Sequence, residues 1–189
     1  MKPLATVALM LHLGAAGIYA QPGPLNITVS GTAAASTASL RPDAPTSEYQ
    51  LTGNGALGPF DLRVLSVSIP AAQPPSTCTG ANKIAGSAVA GGGVLRFADG
   101  SLLKVYLTGG SDCIDLSAGQ ALCIRILQIT GGTGRFRNAS GGTVTLTMTV
   151  APVLGDSSGT PVFFAVTGGV SGALPRVTAE QEPEEHSQR

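Results

Sequence analysis

Residues 143–150 read T-V-T-L-T-M-T-V, so threonine alternates with an apolar residue over eight positions. A period of two predicts a β-strand, because successive side chains of a strand point to opposite faces. The β-branched residues also suit a pleated surface. We therefore expect the apolar set to face a core and the threonines to face solvent. The apolar set consists of Val144, Leu146, Met148 and Val150.

The rest of the chain repeats this pattern in other apolar runs. They cover residues 60–69, 102–108, 121–130 and 161–167, with glycine-rich or proline-rich segments between them. Helical periodicity is nearly absent, and the chain holds 26 glycines and 13 prolines. The pattern predicts an all-β antiparallel body of roughly eight to ten strands. A single open sheet would expose its edges, so we expect closure into a barrel or, alternatively, packing into a β-sandwich.

The segment 92–108 is typical of a hairpin that turns at Asp99-Gly100. A two-residue loop would pair Leu95 with Lys104, whereas a loop of odd length keeps Leu95 and the apolar residues of the second strand on one face. A slip of one residue moves every side chain to the opposite face, so burial should decide the register. We expect the loop of odd length.

Composition divides the chain into four regions. Lys2, an apolar run from Leu4 and a small residue at Ala20 predict a signal peptide over 1–20. Residues 21–47 are rich in Pro, Ala, Ser and Thr, which predicts a lead-in strand or a linker. A β-barrel domain is expected over 48–175. The acidic, apolar-poor end, 176–189, is predicted to be a disordered tail.

Charge and hydropathy restrict the compartment and the partners. After removal of residues 1–20 the chain has 10 basic and 11 acidic residues, a net charge of −1. Binders of nucleic acid carry a basic excess, so nucleic acid is not an expected partner. No later segment is long and apolar enough to predict a membrane span. We expect a protein that is secreted, to the periplasm or the extracellular space.

Three cysteines, Cys78, Cys113 and Cys123, can form one disulfide bond in an exported protein. All three pairings are open. A three-residue loop over 117–119 would place Cys113 directly opposite Cys123, close enough to bridge. The favoured prediction is therefore a Cys113–Cys123 disulfide, with Cys78 left over.

Few residues offer the usual catalytic or metal-binding chemistry. The two histidines, His12 and His186, fall in the predicted signal peptide and tail, which leaves no base for an activated serine. The cysteines lack the spacing of a zinc site, and the glycines at 131–134 lack the lysine of a phosphate-binding loop. We expect no metal and no cofactor.

A tentative polar site lies around the cysteine hairpin. Asp112, Asp115 and Arg125 cluster there in the sequence and are the residues that we would test first for a binding or catalytic role. The simpler interpretation of each is an ordinary surface charge.

The segment 131–141, G-G-T-G-R-F-R-N-A-S-G, resembles the G-G-T-G-x-F-R-x-A-R-G segment of dirigent proteins and related allene oxide cyclase-like barrels. Ser140 replaces the usual basic residue. Related secreted bacterial proteins of unknown role carry the same segment, and the chain resembles those more closely. The resemblance covers about 121–150. The matching positions are Gly131, Gly132, Thr133, Gly134, Phe136, Arg137, Ala139 and Gly141.

The resemblance implies an eight-stranded antiparallel barrel in which this segment forms a turn or a short helical corner. Phe136 would plug one end of the barrel, and Arg135 and Arg137 would point outward or cap carbonyl groups. It does not transfer a catalytic residue, because the acidic and arginine positions of that family find no match.

Three functions fit these observations. The leading expectation is a secreted, non-catalytic all-β protein whose barrel has room for a small apolar ligand. The second is a cofactor-free cyclase or dirigent-like protein that acts on a lipid or phenolic intermediate, since such chemistry needs positioning more than a metal. The third is a structural or adhesive surface module, which the threonine-rich strands and low charge suggest. The sequence leaves the oligomeric state open.

Overall fold

A computed structural model describes residues 24–174. The predicted signal peptide over 1–20 and the predicted acidic tail over 176–189 lie outside the described residues. Within 24–174 no helix has the length and hydropathy needed to span a membrane.

The described chain forms eight β-strands and one 3-10 helix, which lies between β6 and β7. The strands are β1 (Pro24–Ala35), β2 (Thr46–Gly55), β3 (Gly58–Pro70), β4 (Lys83–Phe97), β5 (Leu102–Asp115), β6 (Gln120–Gly132), β7 (Thr143–Gly155) and β8 (Pro161–Ala173). The 3-10 helix spans Gly134–Phe136.

Each strand pairs antiparallel with the next, and β1 pairs with β8, so the sheet closes into a barrel without edges. The all-β antiparallel fold and the eight-stranded closed barrel are confirmed. The predicted start of the barrel at residue 48 is wrong, because β1 and the first residues of β2 precede it. The alanine-rich β1 is a full barrel strand that contacts both β2 and β8.

The two ends of the barrel differ. At the loop end lie the connections 36–45, 71–82, 116–119 and 156–160. At the corner end lie the turns 56–57 and 98–101, the corner 133–142, the start of β1 and the end of β8.

Alternation of side chains creates the core. On β7 the apolar residues Val144, Leu146 and Met148 are buried, while Thr143, Thr147 and Thr149 are exposed. The strand predicted from 143–150 and its buried face are confirmed. Equivalent inward residues of the other strands complete one apolar cluster.

The strand pairing shifts register at several places, and two of these β-bulges lie on β4 and β5. Val67 pairs with Ala90 and Ser68 with Ala88, so Val89 is an extra residue in β4. Leu107 pairs with Leu127 and Gly109 with Ile126, so Thr108 is an extra residue in β5. An extra residue changes which positions face inward. Beyond Thr108, Asp112 is buried and the odd-numbered Cys113 points away from the interior.

The hairpin at Asp99-Gly100 has the predicted odd-length loop. Leu95 pairs with Leu103, and the backbone N–H of Phe97 donates to the carbonyl of Ser101 at 2.9 Å. Three residues, 98–100, separate that pair. Gly100 has φ of 81°, which the third residue of such a loop requires.

The predicted Cys113–Cys123 disulfide is wrong. The β5–β6 connection has four residues, because Asp115 pairs with Gln120, and Cys123 therefore lies opposite Asp112. Cys123 points into the barrel and is free and buried. Cys113 instead bonds Cys78 of the connection 71–82, with a Cα–Cα distance of 5.5 Å.

Leu146→Ala should destabilise the barrel by about 2–5 kcal/mol, because it removes buried methyl groups and leaves a cavity in the core. The matched control Thr147→Ala, on the exposed face of the same strand, should change the free energy of unfolding by less than about 0.5 kcal/mol. Urea denaturation measures both. Equal losses for the two variants would contradict the assigned faces of β7.

Peptide mapping of the unreduced protein should recover a linked Cys78–Cys113 peptide. Iodoacetamide should leave Cys123 unmodified in the folded protein and alkylate it after denaturation, because burial blocks access and keeps the thiol protonated. Reduction of the denatured protein, which should free all three cysteines for alkylation, is the control. A linked Cys123 would overturn this pairing.

Candidate functional site

A polar cluster lies inside the barrel, toward the loop end. Its centre is Arg125 of β6, whose side chain is only 1% exposed. Arg125 faces inward because it alternates in phase with the buried residues Cys123 and Leu127 on the same strand. A buried guanidinium is stable only where its donors are satisfied.

Arg125 makes hydrogen bonds to three other strands. Its Nε donates to Ser66 Oγ of β3 at 2.8 Å, and its Nη2 donates to Tyr49 Oη of β2 at 3.2 Å. Its Nη1 donates to Asp112 Oδ1 of β5 at 2.6 Å. A longer contact of 3.4 Å joins Nη2 to Ser68 Oγ. The guanidinium thus cross-links the barrel from β2 to β6.

The bulge at Thr108 brings Asp112 into this cluster. Burial raises the pKa of the Asp112 carboxyl, but the charge of Arg125 and hydrogen bonds from Arg125, Ser68 and Cys123 together lower it by more, so the pKa lies below its usual range. Burial lowers the pKa of the Arg125 guanidinium, but Tyr49, Asp112 and Cys123 together raise it by more, so the pKa lies above its usual value. Asp112 and Arg125 are therefore a charged pair at neutral pH.

Cys123 and Tyr49 stay protonated beside this pair. Burial raises the pKa of the Cys123 thiol to about 12, and the Asp112 carboxylate raises it further in the same direction. Burial also raises the pKa of Tyr49 to about 12, against the opposing effect of Arg125. A thiol without its thiolate is a weak nucleophile. The cluster can donate hydrogen bonds, but it has no group with a pKa near neutrality for acid–base catalysis.

A small pocket lies at the loop end, next to this cluster. Its volume is about 230 Å³. Ile114 and Ala121, which pair across β5 and β6, follow the Asp112–Cys123 pair toward that end. The walls are almost entirely apolar. They are formed by Ile114, Asp115, Leu116, Gly119, Gln120, Ala121, Val150, Pro152, Pro161 and Phe164.

Of the three residues of the tentative polar site, two lie in the buried polar cluster and one lies at the pocket. Asp112 and Arg125 form the buried pair, whereas Asp115 lies at the rim of the pocket. Asp115 Oδ1 accepts hydrogen bonds from the backbone N–H groups of Ser117 and Ala118, both at 3.0 Å. Asp115 is thus separate from the buried pair: it caps the loop, and its Oδ2 lies 3.9 Å from Lys83 Nζ.

The apolar half of the interior is filled by side chains. Toward the corner end it encloses a cavity of only about 10 Å³, lined by residues such as Leu25, Phe97 and Leu103. A volume near 10–15 Å³ is the least that holds one water molecule. A ligand in that half would have to displace core side chains.

The corner 133–142 closes the barrel at the opposite end. Phe136, in the 3-10 helix, is completely buried and lies 4.7 Å from Phe97 between ring centroids. The Arg135 guanidinium stacks on both rings, at 4.8 Å from Phe97 and 4.9 Å from Phe136. Its Nη2 donates to the carbonyl of Leu57 at 2.6 Å, and its Nε lies 3.3 Å from Asp99 Oδ2.

The glycines of this corner allow backbone conformations and close backbone contacts that other residues would not. Gly134 and Gly141 have φ of 59° and 85°, in the left-handed region that favours glycine. A Cβ on Gly132 would lie 2.7 Å from the carbonyl oxygen of Leu102. Arg137 is exposed. Residues 131–141 therefore build a structural corner at the end of the barrel opposite the polar cluster.

The sequence did not indicate Tyr49, Ser66, Ser68 or Cys123 as members of a site. Ser66 and Ser68 could have been predicted to face the interior, because they continue the alternation of Phe60, Leu62 and Val64 on one strand. Polar residues in phase with a buried set mark an interior polar group. No such pattern in the sequence predicts that Tyr49 belongs to this polar group.

Within residues 24–174 no group of three or more His, Cys, Asp or Glu side chains is placed to hold a metal ion. Comparison with known families found no matching family model, and comparison with curated proteins found no match.

Asp112→Asn should destabilise the protein by about 3–5 kcal/mol at pH 7, because it leaves the buried Arg125 charge without its partner. Replacing both charges, as in Asp112→Asn with Arg125→Met, should cost less than Asp112→Asn alone. The exposed Asp61→Asn is the control and should be near neutral. Urea titrations of the three variants measure these losses.

The pH dependence gives a second test of the same pair. A carboxyl whose pKa is lowered on folding contributes stability above its unfolded pKa of about 3.9, and loses it as the pH falls through the folded value. Asp112→Asn should therefore flatten the fall in stability below about pH 4. An unchanged profile would show that the pair contributes nothing.

Proposed function

We propose that the chain is an exported, non-catalytic barrel protein that binds a small apolar ligand at its loop end. The observation that carries this proposal is the pocket of about 230 Å³. Its apolar walls open to solvent at Ile114 and Leu116, while the other half of the interior is filled. Ligand sites are concave, mostly apolar and supplied with a few polar groups.

The size and lining of the pocket define the ligand class. Typical pockets for drug-sized ligands have volumes of about 300–1,000 Å³, so this one suits a smaller molecule. The Asp115 carboxylate and the Gln120 amide supply polarity at the rim. The expected ligand is a compact apolar molecule with at most one or two hydrogen-bonding groups.

Export is supported by two features. Residues 1–20 have the composition of a signal peptide. The Cys78–Cys113 disulfide suits an oxidising compartment, where such bonds persist.

The alternative is a cofactor-free cyclase or dirigent-like protein. One observation favours it: Asp112 lies two residues along β5 from Ile114, which lines the pocket. The shifted pKa values weigh against it, because Cys123 and Tyr49 hold their protons and Asp112 holds its charge across neutral pH.

The proposal predicts that Ala121→Trp blocks ligand binding, because the indole fills the pocket. Ala165→Trp is the matched control, since Ala165 neighbours Phe164 on β8 but points outward and is exposed. Native mass spectrometry of protein from the producer's medium should show an added mass, and 8-anilinonaphthalene-1-sulfonate can serve as a defined probe. Ala121→Trp should weaken binding at least about tenfold, a change of about 1.4 kcal/mol.

Two results would contradict the proposal. One is a wild-type protein that carries no added mass and does not bind the probe, and the other is binding unaffected by Ala121→Trp. Chemical conversion of the bound molecule by wild type but not by Asp112→Asn would instead support the cyclase.

A further inference from the structure

Three cationic side chains of the described residues form no ion pair. Arg41, Arg63, Lys83, Arg125 and Arg135 each pair with a carboxylate within 4.0 Å. Between residues 24 and 174, the remaining lysines and arginines have no such partner. They are Arg96, Lys104 and Arg137.

All three cations lie near the corner end of the barrel, Arg96 and Lys104 on β4 and β5 and Arg137 in the corner 133–142. Arg96 pairs with Leu102 and Lys104 with Val94, so the two cations are diagonal neighbours on the outer face of β4 and β5. Arg137 follows the 3-10 helix, whose preceding residue Thr133 donates its backbone N–H to the carbonyl of Leu102 at 2.9 Å. We call this surface the cationic face.

The acidic residues around the cationic face do not balance it. Asp61 lies opposite Arg96 on β3. Glu48 is bound to Arg63 at 2.9 Å, and Asp99 is 3.3 Å from Arg135. With Arg63 and Arg135 added to the three unpaired cations, this part of the barrel has five cations and three carboxylates. The surface therefore keeps an excess of positive charge that fits an anionic partner.

The chain itself supplies such a partner. Residues 180–185 read E-Q-E-P-E-E, with four glutamates. The last described residue, Leu174, follows β8 at the corner end and lines the narrow cavity of the apolar core. Strand β8 lies three strands from β5 around the closed barrel. The six residues from Leu174 to Glu180 can span about 20 Å at roughly 3.3 Å per residue.

We propose that the acidic segment 180–185 binds the cationic face of its own barrel. Tethering at Leu174 makes the contact intramolecular, which raises the effective concentration of the glutamates far above that of a free anion. The charges are complementary, and the segment starts at the correct end. Arg96, Lys104 and Arg137 are the residues that receive the glutamates.

Zero-length carbodiimide cross-linking of the intact mature chain tests this contact. The reagent joins a lysine amine to a carboxylate only when the two touch. Outside the predicted signal peptide, the chain has two lysines, Lys83 and Lys104. Lys83 lies at the loop end, and its link to Asp115 is the internal control for reactivity.

We expect Lys104 to link to the 180–185 peptide and Lys83 not to do so. The link should be lost near 1 M salt, where the Debye length falls to about 3 Å. It should weaken in the double variant Arg96→Gln/Arg137→Gln but not in Arg41→Gln, which changes a charge at the loop end. A mixture of ¹⁴N and ¹⁵N protein should give links only within one isotope.

Three results would overturn the proposal. The first is the absence of a Lys104 link in a sample that shows the Lys83–Asp115 link. The second is equal linking of the acidic segment to Lys83 and Lys104. The third is linking between the two isotopes, which would assign the cationic face to a second copy of the chain.

Discussion

Alternation of side chains between the inside and the outside of a closed sheet is the constraint on which this structure depends. A barrel has one interior, so each strand must present its apolar residues to it in the same phase as its neighbours. The bulges at Val89 and Thr108 reset that phase on β4 and β5. The second of them turns Asp112 inward and Cys113 outward, which determines both the buried ion pair and the disulfide.

Along the barrel axis, the interior therefore has an apolar half toward the corner end and a polar half toward the loop end. Toward the corner end, Phe136 and Phe97 fill the space and Arg135 locks the closing segment. Toward the loop end, apolar side chains give way to Arg125, which makes hydrogen bonds to three other strands, including its sheet neighbour β5. A buried guanidinium fixes one arrangement of its partners, at a cost in desolvation that apolar side chains would avoid. The pocket lies at this less apolar end.

The sequence predicted what local patterns encode. Strand β7, the odd-length loop at Asp99 and the closed all-β fold follow from periodicity and turn residues. The pattern does not separate strand β1 from a linker, because its last three residues, A-A-A, carry little apolar contrast. The cysteine pairing failed because a single extra residue at Thr108 and a four-residue loop reverse the faces. The partners of Arg125 could not be found locally, since Ser66 and Tyr49 are 59 and 76 residues away in the chain.

The pairing of β1 with β8 has a consequence for how the chain folds. The first strand to be synthesised finds one of its two neighbours only when the last strand has been made. Until then β1 and β7 both present unpaired backbone groups, which can template association with other chains. Contacts between such distant residues also slow folding. The sheet therefore keeps two unpaired edges until its last strand has been added.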